Sequence, residues 1–538
     1  MKKTGFTLVE LLAVIVILAI VLIIAVPGVL SIINKTKDNA YERQIDMIKE
    51  ATRLYVTTNP NVDWRDHKTV VNLSDLQGQG LLDQKLIDPR SKKEIKGIAV
   101  VVTKTGNNMN YDIVYTGTSN ANYPVYNQAM IPIRYDGPNW VKADASNKDF
   151  TWFNYDNQQW ANIATVTEDV RQTLLDAPVG TEVPMDKINT MFVWIPRFKY
   201  KLFNVDGTVS PVGNANMAGD YMIDIKFEGS SVSKATGTQN GEWLTHPAFT
   251  FGGQELDGFW MAKFETGYLG ATTTTGAHSN TLDPFKVIVK PNTYSWRSIQ
   301  AVNMYKNAQG IKDASNPYGL TANEDPHMMK NMEWGAMAYL TQSKYGKQGN
   351  QNYTGLEKEV RMNNNNTFLT GCGADSPTPT LTNTCNTYET TNGQAASTTG
   401  NITGIYDTSG GAWDYTASGI FDEKKENLVI SLSGFDQAEL NQIGRNGKYL
   451  DVYDYSAIDY MDQSRGHLGD ATKEMGPFNS DKGAWYEDYA GFVTKENPYF
   501  LRGTGAYPTY PTQNAGTMSY HHSNGNVSTV DGYRIVII

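Results

Sequence analysis

The chain is poor in the residues that carry most cytosolic chemistry. Its 538 residues include two cysteines and seven histidines, and only 19% are charged, with a net charge of −10. That balance argues against a nucleic-acid surface, which needs clustered lysine and arginine. Neither cysteine stands in a metal-type C-x-x-C pair. There is no G-x-x-x-x-G-K phosphate loop, no G-x-S-x-G elbow and no H-E-x-x-H helix. Their absence removes the usual routes to nucleotide, serine-hydrolase and zinc-protease chemistry.

The long hydrophobic run stands at the amino terminus. Met1-Lys2-Lys3-Thr4-Gly5 is a basic leader, and Leu11 to Val26 contains no polar side chain. From Phe6 to Leu30 the run is about 25 residues, enough to cross a hydrocarbon core of roughly 30 Å as a helix. Glu10 interrupts its start. An unpaired carboxylate in lipid costs about 2.5–3.5 kcal/mol even on lenient scales, so Glu10 needs a partner. Cleavage between Gly5 and Phe6 would create an amine about one helical turn away, and the amine of one subunit could neutralise Glu10 of its neighbour. Two plainer readings compete. A secretory signal would have a shorter apolar core followed by an A-x-A-like site, with no place for Glu10. A simple signal anchor does not need Glu10 at all.

The stretch Lys3-Thr4-Gly5-Phe6-Thr7-Leu8-Val9-Glu10 resembles the class III leader of type IV prepilins and type II secretion pseudopilins. The resemblance implies cleavage after Gly5 by a prepilin peptidase, N-methylation of Phe6, and assembly with other pilin subunits, with Glu10 serving register. Lys2 and Lys3 stay cytoplasmic under the positive-inside rule, which puts everything after about Ser31 outside. The expected location is a single pass through the cell membrane, then a surface filament.

One helix is expected from Phe6 to about Val56, about 75 Å long and kinked at Pro27, where a backbone hydrogen bond is lost. Ile32, Ile33, Ile45, Ile48, Leu54 and Tyr55 form a stripe suited to packing on a head. Ile98 to Lys104 and Tyr111 to Tyr115 read as strands joined at Thr105-Gly106-Asn107-Asn108. With the L-x-G-x-G-L turn from Leu76 to Leu81 and the loop Asp88-Pro89, they resemble a small Gram-positive pseudopilin head. The expected divisions are a leader (1–5), the membrane and filament helix (6–56), a small β head (57–118), a linker with a lead-in β module (119–190) and a large domain (191–538). The fold class is α+β, and the 31 tyrosines suit a strand-rich extracellular protein.

The large domain carries five ordered motifs: F-W-x-x-K-F-E from Phe259 to Glu265, E-W-x-x-x-A-x-L from Glu333 to Leu340, G-G-A-W-D-Y from Gly410 to Tyr415, Arg502-Gly503, and G-Y-R-I-V from Gly532 to Val536. The second lies in a stretch read as an amphipathic helix. The series resembles the sulfatase-modifying-factor type of the C-type-lectin fold, also called formylglycine-generating-enzyme-like. The resemblance implies irregular loops on a small sheet whose first and last strands pair, with Trp260, Trp334 and Trp413 in the core. Oxidase members of that group bind copper with a C-terminal cysteine pair. Cys372 and Cys385 precede the G-G-A-W-D-Y turn and do not match it. Iron-binding relatives use a histidine cluster, and His521-His522 read instead as loop histidines. An enzyme is therefore not expected, and no cofactor is assigned. Asp451, Asp454, Asp459 and Asp462 could offer calcium carboxylate oxygens, but their spacing matches no defined loop.

Cys372 and Cys385 bracket a loop-like segment. A disulfide there would stabilise by about 3 kcal/mol and would persist in an exported chain; two free thiols are the alternative. Asn363 to Asn366 and Ser397-Thr398-Thr399 read as surface loops. Tyr507 to Asn524, rich in Tyr, Ser, His and Asn, reads as a structural loop or a ligand-binding one. The expected function is a surface-displayed minor pilin or pilin-like adhesin whose lectin-like head binds a glycan or protein. The alternatives are a membrane-anchored sulfatase-modifying-factor-like enzyme and a pseudopilin of a type II secretion or DNA-uptake machine.

Overall fold

The computed structural model describes residues 36–60 except 38 and 42, and residues 62–538 except 63, 65–67, 88, 90–94, 96–97, 107, 116–123, 128, 146–151, 206–221, 273–278, 378–383, 458–462, 476–484 and 504–514. Gly5, Phe6, Glu10, Pro27 and the expected membrane helix lie outside the described residues. Among the described residues no helix is long and apolar enough to cross a membrane. The chain divides into two compact units, Met1–Asn120 and Ala121–Ile538.

In the first unit, residues 43–58 form helix α1. Ile45, Ile48, Ala51 and Val56 bury one face of it, as a stripe spaced three to five residues apart should. They share a core with Val71, Leu73, Leu76, Val100 and Val102. The sheet runs β1 (Lys68–Asn72), β2 (Ile98–Thr105), β3 (Asn108–Tyr115), all antiparallel. Helix α2 (Leu73–Gly78) follows β1 without a break, and its Asp75 carboxylate accepts the Asn72 N–H at 2.9 Å. The β2–β3 hairpin closes so tightly that Thr105 pairs with Asn108.

Strands of the second unit include β4 (Ile131–Tyr135), β5 (Trp140–Lys142), β6 (Asn162–Val166), β7 (Ile188–Pro196), β8 (Phe198–Lys201), β9 (Ile225–Phe227), β10 (Trp243–Thr245), β11 (Gly258–Ala262), β12 (His327–Met328), β13 (Trp413–Tyr415), β14 (Tyr499–Arg502), β15 (Tyr520–Ser523), β16 (Asp531–Tyr533) and β17 (Ile535–Ile537). Seven pair antiparallel in the order β12-β17-β11-β7-β6-β4-β5. The segment expected as a lead-in module thus supplies three strands of the main sheet. β11, the strand of the first motif, lies between β7 and the last strand, β17, with Trp260 opposite Trp194 on one side and Ile537 on the other. The physical reason is burial. Every side chain of β11 is buried, so it occupies a central position with both edges hydrogen-bonded.

Trp260, Trp334 and Trp413 are core residues at 1%, 0% and 3% exposure. Helix α3 (Asn331–Thr341) is buried along its whole length, which corrects the amphipathic expectation. Its buried donors find partners inside the protein: Asn331 Nδ2 donates to the Tyr453 hydroxyl at 2.7 Å and Trp334 Nε1 to the Thr517 carbonyl at 2.8 Å. The expected surface loops are likewise interior, apart from Asn366, which is exposed. Asn363, Asn364, Asn365 and Ser397 to Thr399 are all buried. Their short polar side chains supply the bonds that irregular backbone lacks. Asn363 Nδ2 donates to the Leu369 carbonyl at 2.8 Å, and Thr398 Oγ1 accepts the Ile405 N–H at 3.0 Å.

Among the described residues the unit has five smaller sheets, two of them with more than two strands. One runs β15-β14-β13-β16, with β13 and β16 parallel. The other runs β10-β8-β9, all antiparallel.

Candidate functional site

Charged residues of three of the five motifs lie in one buried region. Past the end of β11, Lys263 Nζ donates to the Ile402 and Gly404 carbonyls at 2.7 Å each. Burial pulls its pKa well down; the two carbonyls, and the faces of Trp140 and Tyr406 beside the ammonium, favour the charge. Glu265 accepts the Ala412 N–H at 2.9 Å and the Ser295 hydroxyl. The Gly410-Gly411 turn makes that approach feasible, because a Cβ on Gly411 would stand 2.5 Å from Glu265 Oε1. Asp414 on β13 accepts Arg534 Nε at 2.7 Å, and Arg534 Nη2 donates to the Asp407 carbonyl at 2.7 Å. The Asp407 carboxylate accepts Asn363 Nδ2 and the Gly371 N–H, both at 2.9 Å.

Three carboxyl groups therefore surround one guanidinium. Burial, then Asp407 and Asp414, push Glu265 well above its ordinary range. Burial also raises Asp407, and it raises Asp414 to about 6 against the pull of Arg534. Burial works against the Arg534 cation, yet Asp414, Glu265 and Asp407 together raise its pKa. None of the four side chains exceeds 1% exposure, so the cluster fastens strands and presents nothing to a substrate.

The stretch Tyr507 to Asn524, read as a structural loop or a ligand-binding one, is described from residue 515 onward. His521 and His522 belong to β15 and are not loop residues, because Leu501 and Phe500 of β14 pair with them. The His521 ring has His522, Tyr489 and Trp413 at centroid distances of 4.5, 4.8 and 5.5 Å. Burial and then His522 bring His521 down to about 3, and burial brings His522 to about 4. Both rings are half-buried, giving a neutral aromatic patch suited to stacking and hydrogen bonding.

Cys372 and Cys385 are joined by a disulfide. Asp451 stands 3.6 Å from Lys330 Nζ and accepts the Met332 N–H at 2.7 Å; Asp454 pairs with Lys425 at 2.7 Å. Asp459 and Asp462 lie outside the described residues. Among the described residues no group of three or more His, Cys, Asp or Glu side chains is placed to hold a metal ion.

Sequence reasoning marked the motifs but assigned no role to Glu265, Asp407, Asp414 or Arg534. Each is a single charge in the sequence, and nothing local groups the four. Residues 1–26 match the model of the prokaryotic N-terminal methylation motif. That match supports a type IV pilin-like leader, which implies a prepilin peptidase and assembly with other pilin subunits. No curated protein matches the chain.

Proposed function

We propose that this chain is a minor or tip subunit of a type IV pilus or pseudopilus, and a structural and interaction protein with no catalytic role. Its N-terminal helix anchors it in the membrane and then packs in the filament, while the unit Ala121–Ile538 is a lectin-like head displayed outside. The observation that carries this reading is the match over residues 1–26, in which Gly5 precedes the cut, Phe6 follows it and Glu10 stands in the apolar run. A head of this bulk suits an occasional or terminal subunit better than every position of a filament. In the head, the half-buried patch of His521, His522 and Tyr489 is the ligand-facing surface for a glycan or protein. Mutual pairing of Cys372 and Cys385, and closure of the Arg534 cluster to solvent, favour binding over oxidase chemistry. Mass spectrometry of the mature N-terminus tests the proposal. The chain should begin at N-methylated Phe6, and should retain its leader in cells lacking the prepilin peptidase. A mature chain that keeps Met1 would overturn it.

A further inference from the structure

The outer face of the small β10-β8-β9 sheet carries charge of the wrong sign for this protein. Strand β8 reads Phe198-Lys199-Tyr200-Lys201 and β9 reads Ile225-Lys226-Phe227. Phe198, Tyr200 and Ile225 are buried, so the period-two alternation turns Lys199, Lys201 and Lys226 to the other face. The register places Lys199 directly opposite Lys226, and Lys201 opposite Trp243. Like charges in that relation destabilise a sheet. Among the described residues neither Lys199 nor Lys226 has a carboxylate within ion-pairing distance, and only Lys201 is matched, by Asp224 at 2.8 Å.

The other nearby acids are engaged elsewhere. The Glu242 carboxylate accepts the Thr238 and Gln239 N–H groups at 2.8 and 3.1 Å. Glu228 is buried, 3.4 Å from Arg197, and accepts the Thr245 hydroxyl. The half-buried indole of Trp243 has Lys226 Nζ at 4.7 Å and Lys201 Nζ at 5.4 Å from its ring centre. Surface cation–π contacts of this kind are weak enough to be exchanged for a ligand.

We propose that this face binds an acidic polysaccharide, with a sugar ring stacked on Trp243 and its carboxylates held by Lys199, Lys201 and Lys226. The chain's net charge of −10 disfavours a densely charged nucleic acid, whereas a polymer with one carboxylate per sugar matches a few lysines around one indole. The proposal rests on the reading of this unit as a ligand-binding head, and it adds a second surface and a ligand class.

The test titrates the purified full chain, in non-ionic detergent, with polygalacturonate oligosaccharides, neutral dextran and polyglutamate. Polygalacturonate should bind in a salt-sensitive manner, dextran should not, and polyglutamate should bind more weakly. Lys226→Glu and Trp243→Ala should each lower polygalacturonate affinity by about tenfold or more. Lys226→Glu should also raise the melting temperature, because it turns a repulsive cross-strand pair into an attractive one; a merely structural lysine would not separate the two readouts. Absence of polygalacturonate binding, equal binding of polyglutamate, or unchanged affinity in Trp243→Ala would each overturn the proposal. Those failures are distinct from failure of the pilin reading, which is scored on the mature N-terminus of the same preparation.

Discussion

Arg534 and Asp414, each at 0% exposure, meet through an Nε–Oδ2 contact of 2.7 Å, 120 positions apart in sequence. The contact ties β13 to the chain between β16 and β17, and Arg534 also donates to the Asp407 carbonyl. Removing one partner of a buried pair leaves the other charge without compensation. Arg534→Met is expected to destabilise the large unit by about 3–5 kcal/mol. Arg534→Lys should recover little, because one ammonium cannot reproduce the guanidinium fork. Denaturant unfolding followed by tryptophan fluorescence measures both, and a loss below about 1 kcal/mol would remove the cluster from the account of stability.

Gly469 joins two groups that respond to pH in opposite directions. His246 Nε2 bonds the Gly469 carbonyl at 2.9 Å while Nδ1 accepts the Ala248 N–H at 3.3 Å, an arrangement that needs the neutral ring. Burial lowers this histidine to about 3. A lowered pKa means the unfolded chain binds more protons, so the His246 contribution is complete above about pH 6.5 and declines as pH falls toward 3. Glu474 accepts the Gly469 N–H at 2.8 Å and is raised by burial to about 7. Its contribution is complete below about pH 4.5 and is lost as pH rises through 7. Glu474→Gln should therefore flatten the decline of stability between about pH 5 and 7 and leave the acid limb unchanged. Melting temperatures across that range check it; an unaltered slope in the variant would count against the raised carboxyl.

Gly335 lies within α3, where alanine would ordinarily stabilise by about 1 kcal/mol. Here an added Cβ would stand 1.9 Å from the Gly469 carbonyl oxygen. Overpacking against backbone costs about 1–3 kcal/mol, so the sign should reverse and Gly335→Ala should lower the melting temperature. A stabilised variant would show that the 469–470 segment moves aside freely.

Features that repeat locally were the legible ones. The β2–β3 hairpin announces itself by alternation around Gly106, and the stripe of Ile45 and Ile48 marks the face of α1. Strand β1 was not legible, because it passes into α2 at Asn72 with no turn residue between them. Polar composition misled at Asn363 to Asn365 and Ser397 to Thr399, where polarity serves interior backbone. The Arg534 cluster was beyond reach for a different reason. Its members are individually unremarkable charges, and only tertiary folding places Glu265, Asp407 and Asp414 around one guanidinium.

Cys372 and Cys385 close a loop with a sequence separation of 13. Linking two positions that close removes loop entropy from the unfolded chain, worth about 3 kcal/mol. The double variant Cys372→Ser with Cys385→Ser should lose stability of that order, and a reducing agent should have the same effect on the parent chain but none on the variant. Equal sensitivity of both to reductant would place the effect elsewhere.

Glu10 is the residue on which the filament reading is most exposed. In a bilayer its charge carries an insertion cost of about 2.5–3.5 kcal/mol, so Glu10→Ala should insert at least as well as the parent chain. What the variant should lose is the attraction between this carboxylate and the N-methylated amine of Phe6 on an adjoining subunit. Fractionation should then find normal amounts in the membrane, normal cleavage after Gly5, and strongly reduced material in sheared filaments. Glu10→Gln separates charge from shape: it should behave like alanine if the amine is the partner, and like the parent chain if Glu10 serves only through packing or neutral hydrogen bonds. Filaments that incorporate both variants at parental levels would leave Glu10 without the assembly role assigned to it.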